Sequence, residues 1–316
     1  MISQHLRSSI RVTGLIVGLV AVLLLGDVVA VHPAAAAFPG ENGRIAFARN
    51  GRIWIKNADG TQVRLTRGDQ PTWSPDGTRI AFHRVSRPAS NTNIWTMNAD
   101  GSNRVRVTSA RRDDVGPSWS PDGTKLVFQS LGRRSWGLYI VDSSPPHGTP
   151  IRIAGTLFDE QEPRWSPDGT RIAFQVYSCS TTGCGMQIGV VNADGTGYRP
   201  LTTRSEGIYD RSPDWSPDSS ALLFASHRHS PNNSLDTDIY SVPSAGGVVT
   251  RITDSAGDAR KSAPVWSPDG TRLLCVAESD SYEITLQTSE FGGGAVEDLG
   301  HVGGYHSPEP DWQPLP

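Results

Sequence analysis

The chain has 316 residues with 29 Lys and Arg against 32 Asp and Glu, and its formal charge of −3 carries no basic surplus of the kind that nucleic-acid binding requires. Three cysteines are too few for a four-cysteine zinc site. Beyond the first 37 residues no stretch has a convincing helical period, and 33 Gly and 23 Pro fall mostly at turns between short strands, so the class is all-β.

Residues 1–37 differ from the rest. Arg7 and Arg11 give a positive start, Leu15 to Leu25 is apolar, and Ala34 to Ala37 offers small residues for cleavage. Asp27 interrupts the apolar run before it reaches the roughly 20 residues of a membrane span. The expectation is a signal peptide over 1–37 and an exported propeller over 38–316, in the periplasm, in the cell envelope or secreted, with no membrane span after cleavage.

The mature start, Asn42-Gly43 followed by Arg44-Ile45-Ala46-Phe47, then introduces a repeat. Trp-Ser-Pro-Asp-Gly occurs at Trp73, Trp119, Trp165 and Trp266, as Trp-Ser-Pro-Asp-Ser at Trp215, and truncated at Trp312. The spacings of 46, 46, 50, 51 and 46 residues fit one four-stranded propeller blade per repeat. Pro at the second turn position and Gly at the fourth suit a type I turn, so each motif predicts a strand, a tight turn and a second strand. The second strands, such as Ile80-Ala81-Phe82 and Ile172-Ala173-Phe174, read as buried on both faces. Third strands are expected at 52–56, 93–97, 186–191 and 238–242. Asn-Ala-Asp-Gly turns follow at Asn57, Asn98 and Asn192, and fourth strands end in Leu-Thr, Val-Thr or Ile-Thr. The six tryptophans read as wedges between blades rather than as a catalytic set. The first blade lacks an inner strand and the C-terminus supplies one without followers, which predicts six blades closed by the C-terminal strand pairing into the N-terminal blade.

Pro-x-Trp-Ser-Pro-Asp-Gly-Thr-Arg-Ile-Ala-Phe, followed by Ile-Trp-x-Met-Asn-Ala-Asp-Gly, resembles the repeat of the TolB-like β-propellers, a WD-repeat-like group. The resemblance spans the mature chain and lacks the α/β domain that precedes the propeller in TolB. It implies a six-bladed scaffold of the envelope or exterior that binds other proteins.

Loops from the second to the third strand, and from each fourth strand into the next blade, share one face, where irregular loops favour binding. They carry Asp69, Asp113, Asp114, Asp159, Glu160, Glu162, Tyr209, Asp210, Arg211, Arg260, Lys261, Tyr305, His306 and Glu309, expected as exposed charges of a partner-docking mouth. No catalytic residue, cofactor or metal is expected, and the protein reads as a monomer that binds a protein or envelope ligand. The alternative is a hydrolase or lyase with a metal held by His and carboxylates. Its materials would be His227 and His229 with Asp236 and Asp238, and His301 and His306 in the ring-closing loop, though none has a ligand spacing. Cys179 and Cys184 predict a local disulfide, and Cys275, standing where other repeats have Phe, reads as an inert core residue.

Overall fold

The computed structural model describes residues 40–86, 90–133, 135–153, 158–181, 183–229, 236–254, 260–279, 281–292, 294–302 and 308–315, all within the unit Pro33–Pro316. The predicted signal peptide, Tyr305 and His306 lie outside them. Among the described residues there is no helix, and 24 strands form six antiparallel sheets of four. The inner strands are Asp69–Trp73, Asp114–Trp119, Asp159–Trp165, Arg211–Trp215, Arg260–Trp266 and, for the first blade, the C-terminal Asp311–Leu315. That last strand pairs antiparallel with Glu41–Ala48, setting Ile45 opposite Trp312 and Ala46 opposite Asp311, so the ring closes as the repeat pattern requires. Third strands match the sequence expectation. Two fourth strands end earlier than expected, at Arg106 and Arg251, because the following Thr turns inward and its hydroxyl accepts a third-strand N–H: Ile94 to Thr108 at 3.1 Å and Ile239 to Thr253 at 2.9 Å.

The turn motif is built from its own side chains. The Ser74 hydroxyl donates to Asp76 Oδ1 at 2.6 Å while accepting the Arg79 N–H at 2.9 Å, and Asp76 also takes the Thr78 N–H. The arrangement recurs with Asp122, Asp168, Asp218 and Asp269. Burial disfavours the Asp76 anion, but the hydrogen bonds from Ser74 and Thr78 outweigh it and hold the carboxyl below its usual range. Gly77 is left-handed, and a Cβ there would lie 2.3 Å from the carbonyl oxygen of Pro314, so the second-blade turn admits the closing strand only with glycine.

Each tryptophan fills one inter-blade seam. Trp73 packs with Ile53 and Ile55 of the first blade and Ile80 and Phe82 of its own; equivalent clusters surround Trp119, Trp165, Trp215, Trp266 and Trp312. Several indoles also hold a neighbour directly, as Trp119 Nε1 does on the Thr72 carbonyl at 3.2 Å and Trp215 Nε1 on Arg164 at 3.0 Å. Arginines just before the apolar run of three second strands cover the next blade's ring: Arg44 on Trp73, Arg79 on Trp119, Arg171 on Trp215. The fifth blade has Ala221 at that position, and Phe291 covers Trp266 instead at 4.2 Å.

Candidate docking face and central channel

Inner strands run from the irregular loop face to the Ser-Pro-Asp-Gly face, so residues counted back from each tryptophan form successive rings around the channel. Five inner strands carry a bulge just before the tryptophan. In all six blades the residue three before it is left-handed: Gln70, Gly116, Glu162, Ser212, Ala263 and Glu309. Glycine occupies only one of these positions, so five blades accept about 1–2 kcal/mol of backbone cost each to re-aim the strand. The bulged N–H groups are held from the preceding blade, Glu162 by Gln129 Oε1 and Ser212 by Gln175 Oε1.

The residue immediately before each tryptophan lines the channel: Thr72, Ser118, Arg164, Asp214, Val265 and Asp311 surround a cavity of about 30 Å³. Glu162 and Glu309 lie on the loop-face side, with Arg164 between the two layers. Four carboxyls thus share one guanidinium, and its closest carboxylate is Asp214 at 3.9 Å. The deeper pair is structural as well as charged. Asp214 accepts the Trp266 N–H at 2.8 Å and Asp311 the Trp73 N–H at 2.6 Å, each tying its blade to the next. Burial pushes Asp214 up to about 7 and Asp311 up to about 6, against the pull of Arg164 and the backbone donors. Burial, and then the neighbouring Glu162, push Glu309 up to about 8, so Glu309 holds its proton at neutral pH.

The loop charges expected at the mouth divide into two groups. Asp114, Glu160 and Asp210 are buried, contrary to their expected exposure. Asp114 accepts from the Ser130 hydroxyl, Glu160 from the Leu138 N–H, and Asp210 forms an ion pair with Arg228 at 2.5 Å. Asp113 and Asp159 cap the third strands of the preceding blades at the N–H groups of Thr92 and Trp136. Buried charge persists only when paired and hydrogen-bonded, and these residues sit where loop and strand supply the donors. Asp69, Glu162, Tyr209, Arg260, Lys261 and Glu309 are partly exposed and Arg211 is exposed, its guanidinium over the Tyr209 ring. Arg260 pairs with Glu278, and Lys261 donates to Gln287. The loop face therefore keeps Glu162 and Glu309 at the channel, ringed by Asp69, Tyr209, Arg211, Arg260 and Lys261.

Of the histidines, His227 is buried against Tyr209, with Nε2 2.7 Å from the Gly207 carbonyl. His229 Nε2 lies 3.3 Å from Asp236 and 3.5 Å from Asp238, while its Nδ1 meets the Tyr240 hydroxyl. Asp238 is already bound by the Arg251 guanidinium and the Thr253 hydroxyl, so a cation there would compete with an arginine. His301 ends the strand Glu297–His301 rather than lying in a loop. Cys179 and Cys184 are disulfide-bonded across the end of their hairpin, and Cys275 is buried and free. The ring before each tryptophan escaped sequence analysis; aligning the six repeats by column and asking which column carries charge would have found Arg164, Asp214 and Asp311.

Six four-stranded blades around a channel, closed by strand exchange between the termini, make this a β-propeller. The model of the TolB beta propeller domain matches residues 151–315, more than half of the chain, and the chain belongs to that family. Comparison with curated proteins finds no match. Among solved structures it is similar to TolB from Acinetobacter baumannii, with 23% identity, a TM-score of 0.69, and coverage of 88% of this chain and 68% of that one. It is also similar to a putative TolB from Agrobacterium tumefaciens, with 21% identity, a TM-score of 0.63, and coverage of 82% and 89%. An oligogalacturonate lyase in complex with manganese shares the fold with 18% identity, a TM-score of 0.57, and coverage of 85% and 79%. At these identities the likeness is one of fold.

Proposed function

We propose that this chain is an exported, non-catalytic scaffold, monomeric after removal of residues 1–37, whose residues 38–316 bind a protein or envelope ligand through the loop face. The observation that carries the reading is the concentration of Glu162, Glu309, Asp214 and Asp311 around the single guanidinium of Arg164 in a channel whose loop-face layer is Glu162 and Glu309. Membership of the TolB propeller family supports it. A carboxylate-rich mouth with low-dielectric walls attracts a basic patch on a partner and accelerates encounter.

The test is the association rate against a partner captured by crosslinking, measured over a salt series around 0.1 M, where the screening length is about 10 Å. Asp69→Asn, Glu162→Gln and Asp311→Asn together remove mouth and channel charge with little change of shape, and are expected to slow association and flatten its salt dependence. Asp59→Asn, Asp100→Asn and Asp194→Asn remove the same charge from turns of the opposite face and should leave the rate unchanged. The reverse pattern would place docking on the turn face.

A second reading, a propeller hydrolase or lyase, draws on the His229, Asp236 and Asp238 group, whose ligand atoms lie within 4.8 Å of one another. Stoichiometric metal in the purified protein, lost on His229→Ala, would favour it.

A further inference from the structure

The net charge of −3 conceals a segregation around the ring. Residues 40–112, the first two blades without the closing strand Asp311–Leu315 and the connection that follows, contain 13 Lys and Arg against 5 Asp and Glu, whereas residues 113–316 contain 14 against 26. Ion pairing follows the same division. Among the described residues every Lys or Arg salt bridge lies in blades three to six, from Lys125–Asp142 to Arg272–Glu297, and no arginine of residues 40–112 forms one.

The unpaired cations border a groove of about 750 Å³ between the first two blades, lined by Thr66, Arg67, Asp69, His83, Arg84 and Thr92 with the backbones of Gly51 and Gly68. That volume is in the range of small-ligand sites. The Arg84 guanidinium lies 4.0 Å over the Trp95 ring, which fixes its plane, and among the described residues its N–H groups have no hydrogen-bond partner, a geometry that suits a bidentate oxyanion. Arg67 is exposed at the groove. His83 Nδ1 is buried without a hydrogen-bond partner, and burial holds the imidazole neutral, down to about 4, so it joins the site as a neutral hydrogen-bonding group. Burial, and then the neighbouring Arg104, lower the Arg84 pKa. Asp69 opposes an anion at the channel end of the groove, so an acidic ligand is directed outward, toward Arg67 and Arg84.

We propose that this groove is a binding site for a small multivalent oxyanion, a ligand with two or more carboxylate or phosphate groups, held by Arg67 and Arg84 and distinct from the loop-face mouth. The test is titration calorimetry of the full-length protein with tripolyphosphate and, separately, with citrate, which tells a phosphate source from a carboxylate source. Saturable binding of either is expected. Arg67→Gln with Arg84→Gln should weaken it by at least about 10-fold, the worth of one lost charge-assisted contact. Arg64→Gln with Arg111→Gln, an equal charge loss at residues that do not line the groove, should change it less than about 2-fold. Arg84→Lys keeps the charge but loses the fork, and should weaken binding less than the double variant even if that variant folds poorly. Equal loss in the two double variants, or no saturable heat with either probe, would overturn the site.

Discussion

Closure by the last strand makes a demanding prediction, because the strand is only five residues long and carries contacts to two blades. Trp312 is 8% exposed and packs against Ile45, Phe47, Val265 and Leu274, while its Nε1 donates to the Gly43 carbonyl at 3.1 Å. A buried indole removes about 150–250 Å² from water, which at about 25 cal/mol/Å² is roughly 4–6 kcal/mol. The hydrogen bond adds about 1 kcal/mol. Trp312→Ala is therefore expected to cost about 4–6 kcal/mol after partial relaxation, against a typical total of about 5–15 kcal/mol. Deleting residues 311–316 should cost more. Gln313 goes with it, which accepts from Arg44 and donates to the Gly77 carbonyl of the second blade, and so does the Asp311 cap on Trp73. Urea unfolding followed by far-ultraviolet circular dichroism reads both variants. An unchanged midpoint for the truncated chain would refute closure by this strand and with it the count of six complete blades.

Raised carboxyls in the channel give a pH dependence of definite sign. Asp214 and Asp311 bind protons more tightly folded than unfolded, so their contribution to stability is complete below about pH 4 and is lost as pH rises toward about 7. Asp214→Asn with Asp311→Asn should flatten the fall in melting temperature between pH 5 and pH 8; a steeper fall in the variant would contradict the assignment. Thiol counting on native protein should find no reactive cysteine, and one after unfolding, because Cys179 and Cys184 are bonded and burial pushes the Cys275 thiol up to about 11. Two or more thiols in unreduced, unfolded protein would refute the bond. Arg228→Ala strands the buried Asp210 carboxylate and should destabilise by about 3–5 kcal/mol, whereas the same change at exposed Arg211 should fall within about 0.5 kcal/mol. Equal effects in urea unfolding would show that the Asp210 pair is not a structural charge.

The fold was legible because each residue of the repeat acts locally. Ser74, Asp76 and Gly77 make a turn from their own atoms, and Ile80-Ala81-Phe82 needs burial on both faces whatever its neighbours are. Closure was legible too, since an orphan second strand at Arg44 and an orphan inner strand at Trp312 each lack what the other has. The channel was not, because Thr72, Ser118, Arg164, Asp214, Val265 and Asp311 share no residue type and acquire a common role only when six strands converge. Asp114, Glu160 and Asp210 looked like solvated loop charges for a related reason: their burial depends on Ser130, Leu138 and Arg228, between 16 and 22 residues away. The left-handed residue before each proline gave no sign, as five of six are not glycine. The basic first two blades were readable from the sequence but vanished in a net charge taken over the whole chain.

The claim that the loop face is the docking face is tested most directly by photo-crosslinking in the native cell envelope, with a photoreactive residue placed singly on the loop face at Arg211 or at Tyr282, exposed between the strands Arg272–Glu278 and Ile284–Glu290, or on the turn face at Asp59 or Asp100. A discrete adduct with one partner protein, formed from the loop-face positions and absent from the turn-face positions, is the predicted result. The same adduct from the turn-face positions alone would contradict the account.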